Sequence, residues 1–433
     1  MISTFRRPGG LLVGVLALLT AVSACGTGGS TSNTNTSNAP VKLVWWHNAS
    51  EEPGRSFWQT VANEYHAAHP NVTIEVVPIQ NEQFTTKIPV ALQSSDPPDV
   101  FQEWGGGQLA DQVKAGKVKD ITSLTKSWIG SLGSAPQGWQ VSGKQYGIPY
   151  SLGLVGFWYN KELFTKAGIS APPATWDDFL ADIGKLKTAG VTPIVIGGKD
   201  RWPDAFYWDY LAVRLCSKKV MAQAAVDYKF TDSCWTQAGV KVKQLLDAKP
   251  FQNGFLATPA QQGAGSSAGM LANGKAAMEL QGHWNPGVMN PLTPDQKGLG
   301  DKLGWFGFPT VDGGAGEKGA MLGGGDGYAC SWKAPDACAD FLKYTSSVDV
   351  QKRWAALSVG MPVAQGSESG VVDQNLRSLI DFRGKAPYVQ LYLDIAFTTS
   401  VGQALDDAIA NQFAGSATPE QVVKTISDAA KNR

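Results

Sequence analysis

Val41-Lys-Leu-Val-Trp-Trp46 and Val72-Thr-Ile-Glu-Val-Val77 bracket a helical stretch, and that bracket decides the fold class. Both runs are rich in strand formers, and the second alternates apolar and polar residues. Between them, Gly54 to Ala68 carries Phe57, Val61, Tyr65 and Ala68 at helical spacing. Asn81 to Ser95 predicts a second helix, with Phe84, Ile88 and Leu92 on one face and a kink at Pro89. Pro98-Asp-Val-Phe-Gln-Glu-Trp104 reads as a third strand, closed by Gly105-Gly-Gly107. Strand, helix, strand, helix, strand predicts an α/β fold with a parallel sheet and right-handed crossovers. Ligands of such sheets sit beyond the carboxyl ends of the strands. Trp46-His-Asn-Ala-Ser-Glu51 and Gln102-Glu-Trp104 occupy two of those ends.

The middle of the chain repeats the theme. Tyr146-Gly-Ile-Pro-Tyr-Ser-Leu-Gly153 reads as a short strand at a crossing point, followed by a separate buried strand, Leu154-Val-Gly-Phe-Trp-Tyr159. A helix starts at Asn160, and Thr175-Trp-Asp-Asp178 has the pattern of a capping box that opens a helix to Ala189. Val191-Thr-Pro-Ile-Val-Ile196 predicts a strand, and Pro203 to Cys216 a helix rich in aromatics. Gly263 to Ala268 reads as a loop. Ala276-Ala-Met-Glu-Leu280 predicts a strand that ends at Gly282, with Trp284 and Asn285 directly after it. A strand ending in glycine leaves backbone groups with little steric cover. A flat indole beside it can stack on an apolar ligand face; a core Trp is the plainer reading. Leu303-Gly-Trp-Phe-Gly-Phe308 is one more strand, and Gly323-Gly-Gly-Asp-Gly-Tyr328 a further glycine-rich crossing. From Asp336 the chain reads as mostly helical, ending in the cap Thr418-Pro-Glu-Gln421.

The first residues point to export. Arg6 and Arg7 precede an uncharged apolar run, Leu11 to Val22, too short to span a bilayer and suited to a signal peptide over 1–24. Val22-Ser-Ala-Cys25 resembles a lipobox, so Cys25 is the expected lipidation site, with palmitate among the acyl groups expected there. Residues 25–40 hold Gly, Ser, Thr and Asn and predict a flexible tether. Lys+Arg and Asp+Glu are both 37, which argues against nucleic acid as a partner. The chain holds 15 Trp, 11 Tyr and 17 Phe, and so is rich in flat apolar surfaces. Beyond Cys25 there are Cys216, Cys234, Cys330 and Cys338, an even number that suggests disulfides in an exported chain. Of the possible pairings, Cys216–Cys234 and Cys330–Cys338 each close a short local loop. No CxxC spacing marks a metal site, and no cofactor is expected. His66-Ala-Ala-His69 has ligand-like spacing but reads as a solvated helix end.

The order of these pieces resembles the family 1 extracellular solute-binding proteins, the sugar-binding lipoproteins of ABC importers. Leu43-Val-Trp-Trp46, Ser95-Asp-Pro-Pro-Asp-Val100, Tyr146-Gly-Ile-Pro149 and Phe157-Trp-Tyr-Asn-Lys161 follow in the family's order. Pro173-Ala-Thr-Trp-Asp177, then Asn273-Gly-Lys-Ala-Ala-Met278 with Gly282-His-Trp284, complete the run. The resemblance is most like the actinobacterial xylobiose and xylo-oligosaccharide binders. It implies a periplasmic-binding-protein-like fold (type II), two α/β lobes joined by a multi-strand hinge that closes on ligand. The expected lobes are 41–151 plus 282–325, and 152–281 plus 326–433.

A pyranose offers apolar faces and a rim of hydroxyls, so a receptor needs flat aromatics with carboxylates and amides. Trp104 and Trp284 take positions that the resemblance implies for stacking, and Trp202 sits at another strand end. Asn48, Glu51, Glu103, Asn285 and Asp326 are the candidates for hydroxyls, with Asp204 and either Tyr388 or Tyr392 as further contacts, Tyr392 preferred. Trp58, Trp158 and Trp176 are assigned to the core. The expected function is non-catalytic: a monomeric receptor, lipid-anchored on the outer face of the membrane, that captures a short oligosaccharide for permease subunits. The alternative is a secreted, lipid-anchored glycoside hydrolase, which would need two acids about 5–5.5 or 6.5–9.5 Å apart.

Overall fold

The computed structural model describes residues 39–432; the expected signal segment, Cys25 and most of the tether lie outside the described residues. Ten strands occur among the described residues: β1 (Val41–His47), β2 (Val72–Pro78), β3 (Val100–Glu103), β4 (Gln140–Val141), β5 (Lys144–Gln145), β6 (Gly147–Asn160), β7 (Met278–Gly282), β8 (Leu303–Phe306), β9 (Met321–Cys330) and β10 (Val389–Leu391). Eight of them form one sheet of order β2-β1-β3-β9-β6-β7, with β10 on β9 and β8 on β6; β4 and β5 pair separately. β1 pairs parallel with both β2 and β3, as the alternation predicts. The intervening helix Gly54–Ala68 buries Trp58, Val61, Ala62 and Tyr65. Its inward stripe is rotated from the expected one: Phe57 is half-buried and Ala68 exposed, because Trp58 fills the core instead. The helix Asn81–Gln93 buries Phe84, Ile88 and Leu92, and Pro89 lies within it.

Trp45 on β1 shows what closes this part of the core. Its ring meets Trp58, Tyr328 and Phe341 edge-on at 5.5, 5.1 and 5.0 Å. Such pairs contribute about 0.5–1.5 kcal/mol each beyond their buried area.

The two strands expected at 146–153 and 154–159 are one fourteen-residue strand, β6. Its first half pairs antiparallel with β9, from Gly147↔Ala329 to Leu154↔Gly323. Its second half pairs with β7 and β8. β9 continues the other way and pairs with β3, Val100↔Cys330. These two strands therefore carry one sheet from the parallel β2-β1-β3 edge to the antiparallel β7 and β8 edge. The approach is close at Gly325, where a Cβ would lie 2.2 Å from the Ser151 carbonyl oxygen.

Other expectations change for local reasons. Residues 191–196 are extended but make only isolated bridges, at Ile194. Pro193 lacks a donor, and the Gln252 side chain takes both the N–H and the carbonyl of Ile196 at 3.0 and 2.8 Å. Gly106 and Gly107 start a helix, Gly106–Lys114, rather than ending a strand. Ser266 caps a helix, Ser267–Ala272, where a loop is expected. The caps at Thr175 and Thr418 form, the latter as a full capping box with Pro419 at the first turn.

Buried side chains fall into clusters. Leu43, Trp45 and Trp58 pack with Tyr150, Tyr328, Phe341 and Trp354. Val155, Phe157, Phe206 and Tyr207 pack with Phe306, Leu322 and helices near the C-terminus. Residues 328–364 thus join the first strands, and β8 joins the second half of β6. β9 contributes one end to each cluster, Leu322 to the second and Tyr328 with Cys330 to the first. Cys216–Cys234 and Cys330–Cys338 are both disulfides, as the loop lengths suggest. No described helix is long and apolar enough to cross a membrane.

Candidate functional site

Asp326 stands in β9, beside the crossing glycines. Gln102 Nε2 and Trp104 Nε1 each donate to its Oδ1 at 3.0 Å. The Gln102 carbonyl in turn accepts from the Tyr150 hydroxyl at 3.2 Å. Burial pushes the Asp326 carboxyl up to about 6, and the two donors pull it back. Asp326 therefore orients the Trp104 indole, which also meets Phe84 edge-on at 5.7 Å. Trp104 is half-buried and packs against two of the hydrophobic clusters.

Four more aromatics follow from it. Tyr392 is 7 % exposed, and a Cβ on Gly324 would lie 2.4 Å from its ring. Phe206 meets Tyr392 at 5.4 Å and Trp202 at 5.3 Å. Trp202, the first residue of the helix Trp202–Leu215, meets Trp284 edge-on at 6.2 Å. Trp284 lies over Gly282, where a Cβ would sit 2.3 Å from the indole. Only glycine permits that approach, which is why the strand must end as it does. The Trp284 Nε1–H and the Tyr392 hydroxyl are buried with no partner among the described residues. An unmet buried donor is open to an oxygen of a ligand or water, though core indoles such as that of Trp58 share this state.

The remaining candidates divide. Trp284 is followed at once by the helix Asn285–Met289, so Asn285 is wholly buried and donates from Nδ2 to Glu279 Oε2 at 2.9 Å. Burial pushes Glu279 up to about 7. Glu103 is turned onto its own backbone, its Oε1 accepting the N–H groups of Trp104 and Gly105 at 3.1 Å. Burial raises its carboxyl to about 7. It fixes the turn behind Trp104. Asn48 donates to Asn81 Oδ1 at 3.0 Å, and Glu51 is exposed before the helix Gly54–Ala68. Asp204 is wholly buried, with both carboxylate oxygens lacking a partner among the described residues. Burial, then the charge of Asp200, holds it well above the usual carboxylate range. Tyr388 lies under the Lys218 ammonium at 5.0 Å. Trp58, Trp158 and Trp176 are core residues, at 2 % exposure or less. His66 Nδ1 meets the Val72 carbonyl at 2.7 Å, and among the described residues no group of His, Cys, Asp and Glu could hold a metal.

Three participants escape sequence reasoning: Gln102, Phe206 and Glu82, whose Oε1 accepts the Trp202 indole N–H at 3.3 Å. Glu82 offers one signal, an acid in the first turn of a helix that follows a strand's carboxyl end.

The family of bacterial extracellular solute-binding proteins matches residues 48–352. The chain belongs to this family. A protein of Pyrococcus horikoshii, described as an uncharacterized ABC transporter extracellular-binding protein, is 27% identical over 68% of this chain and 70% of its own. The multiple sugar-binding protein of Streptococcus mutans is 23% identical over 82% and 81%. A structure solved in work on xylan utilization by Caldanaerobius polysaccharolyticus superposes with a TM-score of 0.82. It shares 25% identity and covers 89% of this chain and 99% of that one. The fold is thus the α/β, two-lobed fold of solute-binding proteins.

Proposed function

We propose that the chain is the receptor of an ABC importer for a short oligosaccharide, with xylobiose or a xylo-oligosaccharide the favoured ligand. The observation that carries the reading is the arc of Trp104, Tyr392, Phe206, Trp202 and Trp284 at the β6–β9 crossing, with the unpartnered Trp284 N–H and Tyr392 hydroxyl. Flat rings suit pyranose faces, and the orphaned donors suit ring and hydroxyl oxygens. The relative named for multiple sugars and the structure from xylan utilization support the sugar class. Asp326 serves here by holding Trp104, and Asn285 by bracing the turn beneath Trp284. Asn48 and Glu51 would line the rim.

Closure follows from differential affinity: ligand stabilises the closed form by bonding groups on both sides of the crossing. The body acts as a monomer, tethered through lipid on Cys25 to the outer face of the membrane, and delivers its ligand to permease subunits. The hydrolase reading loses ground at Glu103, whose carboxylate is engaged by its own backbone. A thermal-shift screen with xylobiose, xylotriose, cellobiose, maltose and their monomers tests the reading, because a ligand of the folded state raises its melting temperature. A shift from xylobiose or xylotriose is expected; no shift from any saccharide overturns the sugar class.

A further inference from the structure

Ser151 and His283 meet at the crossing without touching the aromatic arc's open side. Ser151 Oγ and His283 Nε2 lie 2.9 Å apart, and both residues are wholly buried. A hydroxyl and an imidazole at that distance could pair as nucleophile and base. Here the ring's Nδ1 has no partner among the described residues to orient it, and a buried hydroxyl is closed to a substrate. The pair therefore serves a different purpose.

Ser151 stands where β6 passes between the clusters: Tyr150 packs in the first and Val155 in the second. Its partner across the sheet is Asp326 of β9, the residue that holds Trp104. Met361 donates its N–H to Ser151 Oγ at 3.1 Å, and its carbonyl accepts the Leu152 N–H at 3.1 Å. Arg383 donates to the Leu152 carbonyl at 2.7 Å. With Met361 donating to Oγ, the arrangement that leaves the Ser151 hydrogen partnered has it donating to Nε2. Burial, then the charge of Arg383, lowers His283 to about 3, so the ring is neutral and Nε2 can accept. Gly153 makes room for it, since a Cβ there would lie 2.1 Å from the imidazole.

His283 is also the middle residue of the turn that presents Trp284. The Gly282 carbonyl is held by the Trp158 indole N–H at 2.9 Å, and the Trp284 ring meets the imidazole edge-on at 5.2 Å. The Trp284 indole makes no hydrogen bond of its own among the described residues. Its direction is thus set by its neighbours, the imidazole foremost.

We infer that Ser151 and His283 are a positioning pair that hangs both stacking indoles on one rung of the sheet, Trp104 through Asp326 and Trp284 through the imidazole. This rests on the receptor reading above and adds what fixes the spacing of its two indoles. A spacing set before ligand arrives spares the sugar the cost of ordering the rings.

Calorimetry on the whole chain tests this with xylobiose, or with cellobiose or maltose where the thermal screen favours one of them. Ser151→Ala and His283→Phe should each weaken binding about tenfold, and His283→Gln, whose amide can still bond Oγ, should stay within about threefold of wild type. Fluorine NMR of protein labelled with 5-fluorotryptophan reads the positioning directly, without sugar. The Trp284 line, assigned by its absence in Trp284→Phe, should shift or broaden in Ser151→Ala and His283→Phe and return in His283→Gln, while the core Trp176 line stays in place. Where Ser151→Ala fails to fold, the two His283 variants decide. Wild-type affinity in Ser151→Ala and His283→Phe, a loss with the Trp284 line unmoved, or a loss in His283→Gln as large as in His283→Phe overturns the inference. The receptor reading then stands as long as Trp284→Ala still weakens binding. Binding unaffected by Trp284→Ala, or no binding of any of these sugars by the wild type, sinks that reading and this one together.

Discussion

Replacing Trp284 by Ala removes one end of the aromatic arc. The indole meets Trp202 at 6.2 Å and His283 at 5.2 Å, and it lies over Gly282. Truncating a stacked aromatic anchor costs at least about 2 kcal/mol of binding, roughly thirtyfold in Kd. The indole N–H adds a separable part. It is buried without a partner, and an unmet donor costs about 1–3 kcal/mol, part of which a ligand oxygen recovers on binding. Trp284→Phe keeps a flat face and loses the N–H, so it should weaken binding by about 1 kcal/mol, roughly fivefold. Isothermal titration with the saccharide that gives the largest thermal shift measures both, and circular dichroism checks that the free variants keep the fold. Wild-type affinity in the Ala variant refutes the site; wild-type affinity in the Phe variant alone refutes the role of the N–H.

Three other outcomes follow from the packing. Gly282→Ala should weaken sugar binding at least about tenfold, because its Cβ would lie 2.3 Å from the indole and push the ring off its seat; unchanged affinity by calorimetry would show the close approach to be immaterial. Opening Cys216–Cys234, which spans 18 residues, should cost about 3 kcal/mol of stability in denaturant melts, and opening Cys330–Cys338, which spans 8, about 2.5 kcal/mol; a smaller loss for the longer loop counts against that account. Glu279 keeps its proton in the folded state up to about 7, whereas the unfolded chain releases it near 4.5. Its contribution to stability is complete below the lower value and is lost as pH rises through the higher, so Glu279→Gln should gain on the wild type by on the order of 3 kcal/mol across that window; parallel stability–pH curves would contradict the buried, protonated carboxyl.

Much of this molecule is legible locally. The β1–helix–β2–helix–β3 run follows from two periodicities, and the caps at Thr175 and Thr418 from side chains three residues from the N–H they bond. The disulfides follow from short spacings in an exported chain. Where local reading errs, a distant partner intervenes. Gln252 takes the backbone bonds of Ile196 from 56 residues away, and the single strand β6 exists because β9 pairs alongside it.

The candidate site divides the same way. Sequence alone determined which residues could serve a sugar: three Trp near strand ends, an acid in a glycine-rich crossing, and a strand that stops at Gly282. It could not sort Glu103, turned onto its own backbone, from Asp326, which holds Trp104 across 222 positions. Nor could it join Glu82 to Trp202, 120 residues apart. Residue type and spacing set what a side chain can bond. Only the path of β6 and β9 through the sheet decides which of those side chains meet, since their hydrogen bonds reach about 3 Å and the chain between them runs for a hundred residues or more.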